Sequence, residues 1–273
     1  MPFYPDFVPV EPDYDTSDIR PKARLVRSSF DGPIRLILNG RRTGRTGTFT
    51  AFKAGLMAMP WESINGELPI LGISELSAGV ASLMAQPFRL EIPVKGQKRP
   101  LYYFPDQEAE VDEQFLSELQ DGEPFARVAA RTRRTKALTH ETRRIALEVK
   151  LESDPRNDDV FYEDKLAMAS VVLSRFGIKF FKIDRPSHFP DEMLAPFSQL
   201  LSMDRHAKIL DADFDVLRAL YRGHDRHSYA AVVAALGGSP LGEMKALALQ
   251  IRGAISIDLT TKIGEESDVF FVR

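Results

Sequence analysis

The chain has 273 residues, of which 44% are hydrophobic and 10% aromatic, a composition typical of a globular protein able to bury a core. It has no cysteine, which excludes disulfides, thiolate nucleophiles and cysteine-based zinc sites. No apolar run is long enough to span a membrane and the first residues lack a signal-peptide pattern, so the sequence predicts a soluble cytoplasmic protein.

The net charge of −3 conceals two basic blocks. Against the single acid Asp31, residues 20–53 carry Arg20, Lys22, Arg24, Arg27, Arg35, Arg41, Arg42, Arg45 and Lys53. Against Glu141, residues 127–144 carry Arg127, Arg131, Arg133, Arg134, Lys136, Arg143 and Arg144. Such blocks indicate a polyanion partner such as nucleic acid, and the alternative is a solvated surface balanced by acids elsewhere.

The N-terminal segment is rich in proline and then in glycine and arginine. Residues 1–20 are typical of an extended arm. Residues 24–38 predict a short hairpin around Asp31-Gly32-Pro33, with 34–38 as its better strand. Residues 39–49 predict a basic loop that orders on a phosphate backbone, or an ordinary linker.

Helices and strands alternate from residue 53 onward. Pro60 suits the first turn of a helix carrying Glu62, and a further helix is expected at 68–76. A strand follows over 80–94, then a polar turn at 95–100. The aromatic strand 101–105 delivers Asp106 directly after a proline.

Two predicted helices, in 112–120 and 125–134, separate that strand from the next one. Residues 145–150 alternate, so Glu148 and Lys150 share one face of a strand. A helix over 162–177 and a strand over 178–184 complete a strand–helix–strand unit, which predicts a parallel pair in an α/β layer.

The pattern changes near Arg185-Pro186, where we place a domain boundary. Helices are predicted over 204–222, 228–238 and 240–254, and a terminal hairpin turns near Gly264. This layout is typical of a winged helix-turn-helix, which serves either DNA or protein docking. The candidate recognition helix carries only Lys245 and Arg252 as cations, which weakens the DNA interpretation.

The candidate chemistry lies in Asp106, Glu148 and Lys150. Charge on a strand face requires solvent, a mutual partner, or a metal and a phosphate. Taken singly, Glu148 and Lys150 are explained by a surface ion pair, and Pro105-Asp106 by a strand-ending turn. No HExxH, Walker A or GxSxG motif offers another chemistry.

The ordered motifs WES, QP, YYFPDQ and LEVK resemble those of the PD-(D/E)XK nuclease superfamily, and within it the TnsA-type transposon endonucleases. The resemblance covers residues 50–185 and extends to the C-terminal part. It implies an α/β fold, with a restriction-endonuclease-like mixed sheet flanked by helices and a C-terminal winged-helix-like domain. We divide the chain into an arm and basic segment at 1–52, a nuclease domain at 53–186 and the winged-helix-like domain at 187–273.

The resemblance also implies roles for the site residues. Asp106, Glu148 and a helical glutamate would hold Mg²⁺, with Mn²⁺ as a substitute, and Lys150 would lie beside the attacking water. Glu62 follows the tryptophan of the WES segment, whereas Glu67 has the more family-like distance to Gln86. Both remain candidates, and Glu67 is preferred.

By the same resemblance, the chain is expected to be a metal-dependent endonuclease that nicks double-stranded DNA at transposon ends. Its expected partners are a DDE-type transposase and, as a second candidate, an AAA+ transposition regulator. Two alternatives stay open: a catalytically inactive nuclease fold that serves as a DNA-binding or assembly subunit, and a free-standing restriction or repair nuclease.

Overall fold

The computed structural model describes residues 7–10, 23–35, 45–134, 141–153 and 160–272. The chain forms two compact units that interleave along the sequence. The first consists of Met1–Leu71, Ser82–Glu110 and Arg143–Pro186, and the second of Gly72–Ala81, Val111–Thr142 and Ser187–Arg273. The second unit therefore includes two segments from within the range 53–186 that the sequence analysis assigned to the nuclease domain.

Two four-stranded sheets dominate the first unit. One has the order β1-β2-β6-β7, with strands Phe7–Val10, Arg24–Ser28, Phe88–Ile92 and Leu101–Tyr103. The other has the order β10-β9-β8-β5, with strands Ile178–Asp184, Arg143–Lys150, Gln107–Val111 and Val80–Ala85. A hairpin, β3 (Gly47–Ala51) and β4 (Met57–Trp61), forms a separate pair around the 3₁₀ turn Phe52–Ala54. The fold is thus mixed α/β.

Helix α4 (Val160–Arg175) connects β9 to β10, and the two strands are parallel, as predicted. The helix covers the sheet through a shared apolar core. Leu166, Ala169 and Leu173 project from α4 at helical spacing and pack in one cluster with Phe88 and Leu90 of β6. Residues Ile145, Ala146 and Leu147 are fully buried, so β9 is covered on both faces.

The predicted helix at Pro60 is wrong. Pro60 lies in β4 and pairs with Thr48 of β3. A proline cannot donate to a ladder, but the edge strand of a two-stranded hairpin needs only one set of hydrogen bonds. Helix α1 begins later, at Glu67, and continues to Leu76.

The predicted continuous strand over 80–94 is also wrong, because β5 and β6 belong to different sheets. Gln86, between them, adopts a left-handed conformation with φ of 46°. The predicted hairpin strand at 34–38 is wrong for its first two residues, because Ile34 and Arg35 form a bend. Residues 36–38 lie outside the described residues. The strand in this region is β2, which pairs with β1 and β6.

The second unit is mainly helical. Its helices are α2 (Glu113–Gln120), α3 (Phe125–Ala130), α6 (Asp191–Leu201), α7 (Asp211–Leu220), α8 (Tyr229–Ala235) and α9 (Leu241–Ile251), with α5 (Arg185–His188) at the division. A three-stranded antiparallel sheet of order β11-β13-β12 joins Arg226–Ser228, Asp268–Phe271 and Ile255–Ile257. The predicted helix over 204–222 begins only at Asp211, where the Asp213 side chain accepts from the Leu210 backbone N–H.

Among the described residues, no helix has the length and apolar character that crossing a bilayer requires.

Candidate functional site

Four of the five predicted site residues line one cavity of the first unit. Glu62 follows β4, Glu67 begins α1, Asp106 lies between β7 and β8, and Glu148 lies near the end of β9. The cavity has a volume of about 680 Å³. Lys150, the fifth residue, is buried and lies against Glu148, with its Nζ 3.2 Å from Glu148 Oε1.

Asp106 is anchored to β9 on both sides of Glu148. Its backbone N–H donates to the Leu147 carbonyl at 3.0 Å, and the Val149 N–H donates to its Oδ2 at 2.7 Å. Its own carbonyl accepts from the Gln86 N–H at 2.9 Å. The left-handed Gln86, part of the QP motif, therefore helps to position the aspartate.

Two tyrosine hydroxyls hold the Glu148 carboxylate. Tyr103 donates to Oε2 at 2.8 Å, and Tyr162 of α4 donates to Oε1. Burial raises the pKa of the Tyr103 phenol well above its ordinary value, and the charges of Glu148 and Asp106 add to this effect. Tyr103 therefore stays protonated and remains a hydrogen-bond donor.

Lys150 has both a carboxylate and an aromatic neighbour. Glu148 and Lys150 are each only 2% exposed, so their charges rely on each other and on nearby groups. The Lys150 ammonium also lies 3.9 Å from the centroid of the Tyr162 ring, a cation–π distance. The alternative that these two residues form an exposed ion pair is thus wrong, because the pair is buried.

The two candidate glutamates have different surroundings. Glu62 forms an ion pair with Arg35 at 2.6 Å, and Arg35 also lies 5.4 Å from the centroid of the Phe104 ring. Glu67 accepts the Glu62 backbone N–H at 2.9 Å. The two acids are therefore linked, but Arg35 pairs directly with Glu62.

Mutual repulsion and burial act on the acids that face the cavity. Burial is the main cause that raises the pKa of Glu67 from 4.5 to about 7, and the charges of Glu62 and Glu148 contribute to this rise. Burial also raises the pKa of Asp106 well above its ordinary value, with contributions from Glu148 and Glu67. These carboxylates are close enough to disfavour one another's charged forms, which a bound cation would relieve.

The donor chemistry of Glu67, Asp106 and Glu148 suits a hard divalent cation, which prefers carboxylate oxygens. Across the described ranges, however, no three acidic or imidazole side chains are already arranged to hold a metal ion. The contacts of Glu148 account for this in part, since its two oxygens are engaged by Tyr103, Tyr162 and Lys150.

Sequence reasoning missed several residues of this site, namely Tyr103, Tyr162, Arg35 and Lys165 as lining residues. Tyr103 had a usable signal, because alternation along the strand before Asp106 directs it to one side. Arg35 was noticed only as part of a basic block. Tyr162 and Lys165 lie on a helix that comes after β9, and no local pattern connects them to Glu148.

The basic blocks are largely neutralised where they are described. In the second block, Arg131 pairs with Glu118 at 2.9 Å, Arg133 with Asp112 at 2.9 Å and Arg134 with Asp225 at 3.1 Å. In the first block, Arg27 pairs with Glu108 at 2.7 Å, and Arg45 lines the cavity. Arg20, Lys22, Arg41, Arg42 and Lys136 lie outside the described residues. The balanced-surface alternative therefore fits these arginines of the second block.

Comparison of the sequence with protein-family models and with curated proteins finds no match.

Proposed function

We propose that the chain is a Mg²⁺-dependent DNA endonuclease of the TnsA type, which nicks DNA at transposon ends together with a DDE-type transposase. One observation carries the proposal: Glu67, Asp106 and Glu148 line one cavity, and Lys150 is buried against Glu148. These residues are separated by up to 83 positions in the chain, and α1, the β7–β8 junction and β9 bring them together.

The chain's own groups have separable roles in phosphodiester hydrolysis. Glu67, Asp106 and Glu148 would hold the metal, which when bound supplies charge neutralisation at the phosphate and a more acidic water. The Val149 N–H fixes Asp106, and the two tyrosine hydroxyls fix Glu148. The buried ammonium of Lys150 stabilises the negative charge that develops on the attacking oxygen and the phosphate.

The surroundings of the two glutamates favour Glu67 as the metal ligand. Glu62 already has a direct cationic partner, Arg35. Burial raises the pKa of Glu67, and the charges of Glu62 and Glu148 add to this effect, so a bound cation would stabilise its ionised form. We assign Glu62 the role of fixing Arg35 at the cavity rim, where the guanidinium is available to a phosphate.

The second unit supports a docking role. Its order α7–β11–α8–α9–β12–β13 with an antiparallel three-stranded sheet is consistent with a winged helix-turn-helix. Lys245 of α9 is paired with Asp213 at 2.6 Å, which neutralises one of the two cations on the candidate recognition helix. This favours a protein, the transposase, over DNA as the partner of this unit.

The test compares isosteric variants in a nicking assay with the transposase, Mg²⁺ and DNA containing transposon ends. Asp106→Asn and Glu67→Gln should each lower the nicking rate by about 100-fold or more, since loss of a metal ligand exceeds the 10- to 100-fold effect of its outer partners. Glu62→Gln, the matched control at the neighbouring acid, should lower it by less than about 10-fold.

The three variants also distinguish a wrong assignment of the two glutamates from a wrong function. Equal nicking by the parent and Asp106→Asn would overturn the endonuclease. A large loss in Glu62→Gln with no loss in Glu67→Gln would instead exchange the roles of the two glutamates.

The absence of a preformed metal cage among the described residues favours one second candidate, a catalytically inactive assembly subunit. A calorimetric titration with Mg²⁺ and Mn²⁺ distinguishes the two. An inactive subunit should show no binding that depends on Asp106 and Glu148, whereas the endonuclease should lose binding in Asp106→Asn.

A further inference from the structure

The turn that joins β6 to β7 is exposed and cationic. This segment, residues 93–100, is called the hairpin tip here, and it contains Lys95, Lys98 and Arg99, all exposed. The chain has no acid between Glu91 and Asp106. Glu91 itself is paired with Arg24 and Arg89. Within the described residues, the tip is therefore a local concentration of positive charge in a chain whose net charge is −3.

The tip contains a hydrogen-bonded β-turn. The Gln97 N–H donates to the Val94 carbonyl at 3.0 Å, and Gly96 between them has φ of 83°. This is the pattern of a type II β-turn, which needs glycine at its third position. Pro93 and Pro100 restrict the backbone on either side. The three cations are thus presented in a restricted arrangement.

The hairpin formed by β6 and β7 leads into the candidate site. In its register Leu90 pairs with Tyr103 and Ile92 with Leu101. Tyr103 is the residue whose hydroxyl holds Glu148, and Asp106 follows three residues later. The position of the tip is therefore linked to the position of the two acids.

The tip precedes β7, which begins at Leu101 and carries Tyr103, so its three cations lie beyond the end of the strand whose Tyr103 hydroxyl holds Glu148.

We propose that the hairpin tip is a second DNA contact, in which Lys95, Lys98 and Arg99 bind backbone phosphates of the duplex other than the phosphate at the cavity. This rests on the proposed function, since it requires a duplex substrate at the same site. The contact holds and orients the duplex without reading sequence, because phosphates are the same at every base pair.

The triple variant Lys95→Ala/Lys98→Ala/Arg99→Ala tests this proposal. Its affinity for a labelled duplex of about 30 base pairs is measured by fluorescence anisotropy, without divalent metal, at salt concentrations from about 50 to 200 mM. The slope of log affinity against log salt should become shallower by about 2 to 3, since each lost phosphate contact contributes about 0.9. Two duplexes of unrelated sequence should lose affinity equally.

A single-residue comparison controls for any general effect of removing a lysine. Lys98→Ala should reduce the slope by about 0.9. Lys179→Ala should leave it unchanged, because Lys179 is exposed on β10 beside Ile145, at the opposite end of β9 from Lys150. A triple variant whose slope stays within about 0.5 of the parent overturns the proposal.

Failure of this inference and failure of the endonuclease differ in outcome. If the triple variant binds as the parent does while Asp106→Asn fails to nick, the hairpin contact is wrong and the endonuclease stands. If the parent does not bind the duplex at the lowest salt, the hairpin contact is overturned, and the nicking assay with the transposase decides the endonuclease separately. Phosphate-ethylation interference locates the contact: the parent should show signals at phosphates away from the nick that vanish in the triple variant, and their persistence contradicts the assignment.

Discussion

Tyr102 and Tyr103 are sequence neighbours on β7 with opposite surroundings. Tyr103 is 2% exposed and donates to Glu148, whereas Tyr102 is 45% exposed and lies 5.0 Å beneath the Arg89 guanidinium. Replacing Tyr103 with Phe removes a donor from a buried carboxylate and leaves that charge less satisfied. We expect Tyr103→Phe to destabilise the fold by about 1–3 kcal/mol.

The neighbouring tyrosine provides the control for that experiment. Tyr102→Phe removes the same hydroxyl group from an exposed side chain, where water can satisfy the groups around it. Its urea midpoint should therefore match that of the parent. A Tyr103→Phe midpoint equal to that of Tyr102→Phe would show that the Glu148 contact contributes nothing to stability.

The acids of the cavity predict a pH dependence in metal-free protein. The pKa of Glu67 is raised from 4.5 to about 7, and that of Asp106 is raised as well, so the folded state binds protons more tightly than the unfolded chain. The stabilisation that protonated Glu67 contributes to the folded state is fully present below pH 4.5 and is lost as the pH rises through about 7. Urea unfolding in EDTA should follow this trend, and Glu67→Gln should flatten it.

A flat parental profile between these pH values would show that folding does not raise the pKa of Glu67 and Asp106. Added Mg²⁺ should reverse the loss of stability at the high-pH end, because the cation binds the ionised carboxylates.

At the same scale, the order of the motifs was enough to select Glu67, Asp106 and Glu148, which line one cavity, and Lys150, which is buried against Glu148. Alternation in β9 placed Glu148 and Lys150 together, and this information is local. The Glu62 and Glu67 ambiguity could not be resolved that way, because the ion pair with Arg35 joins residues 27 positions apart. The hydroxyl of Tyr162 reaches Glu148 only because α4 packs back on the sheet.

Among the elements, helices α8 and α9 approach each other closely at Gly242. A Cβ at Gly242 would lie 2.1 Å from the Val233 carbonyl oxygen, a backbone atom that cannot move without shifting α8. We expect Gly242→Ala to destabilise the second unit by about 1–3 kcal/mol or more, as overpacking does.

Gly264 offers the matched substitution in the same unit. A Cβ there meets nothing within 4 Å, so Gly264→Ala should leave the thermal midpoint unchanged within about 1 °C. An equally small effect at Gly242 would contradict the close approach of the two helices.

Elements with a strong periodic pattern were predicted well. β9, α4 and β10 combine alternation or helical spacing with a clear Gly177 stop, and the predicted strand–helix–strand order was confirmed. Pro60 misled because its fixed φ fits both a first helical turn and an edge strand. The break at Gln86 depends on a left-handed backbone that a glutamine gives no sign of adopting.

At the scale of the whole molecule, the pattern of apolar residues identified α2 and α3 but not the core to which they belong. Both helices pack within the second unit, where the Leu259 N–H donates to the Ala130 carbonyl at 3.1 Å and the Arg133 N–H to Ser256 Oγ at 2.9 Å. An amphipathic helix shows which face is buried, but not against which partner. Long-range pairing was therefore the part that sequence reasoning could not supply.

The alternation of the two units along the chain also restricts how such a protein can be recombined. The backbone passes from one unit to the other after residues 71, 81, 110, 142 and 186. A single crossover after residue 81, 110 or 142 leaves both units assembled from two parents, and a crossover after residue 71 or 186 leaves one of the two units so assembled. The candidate catalytic cavity and its companion unit are consequently inherited as one block and not as exchangeable modules.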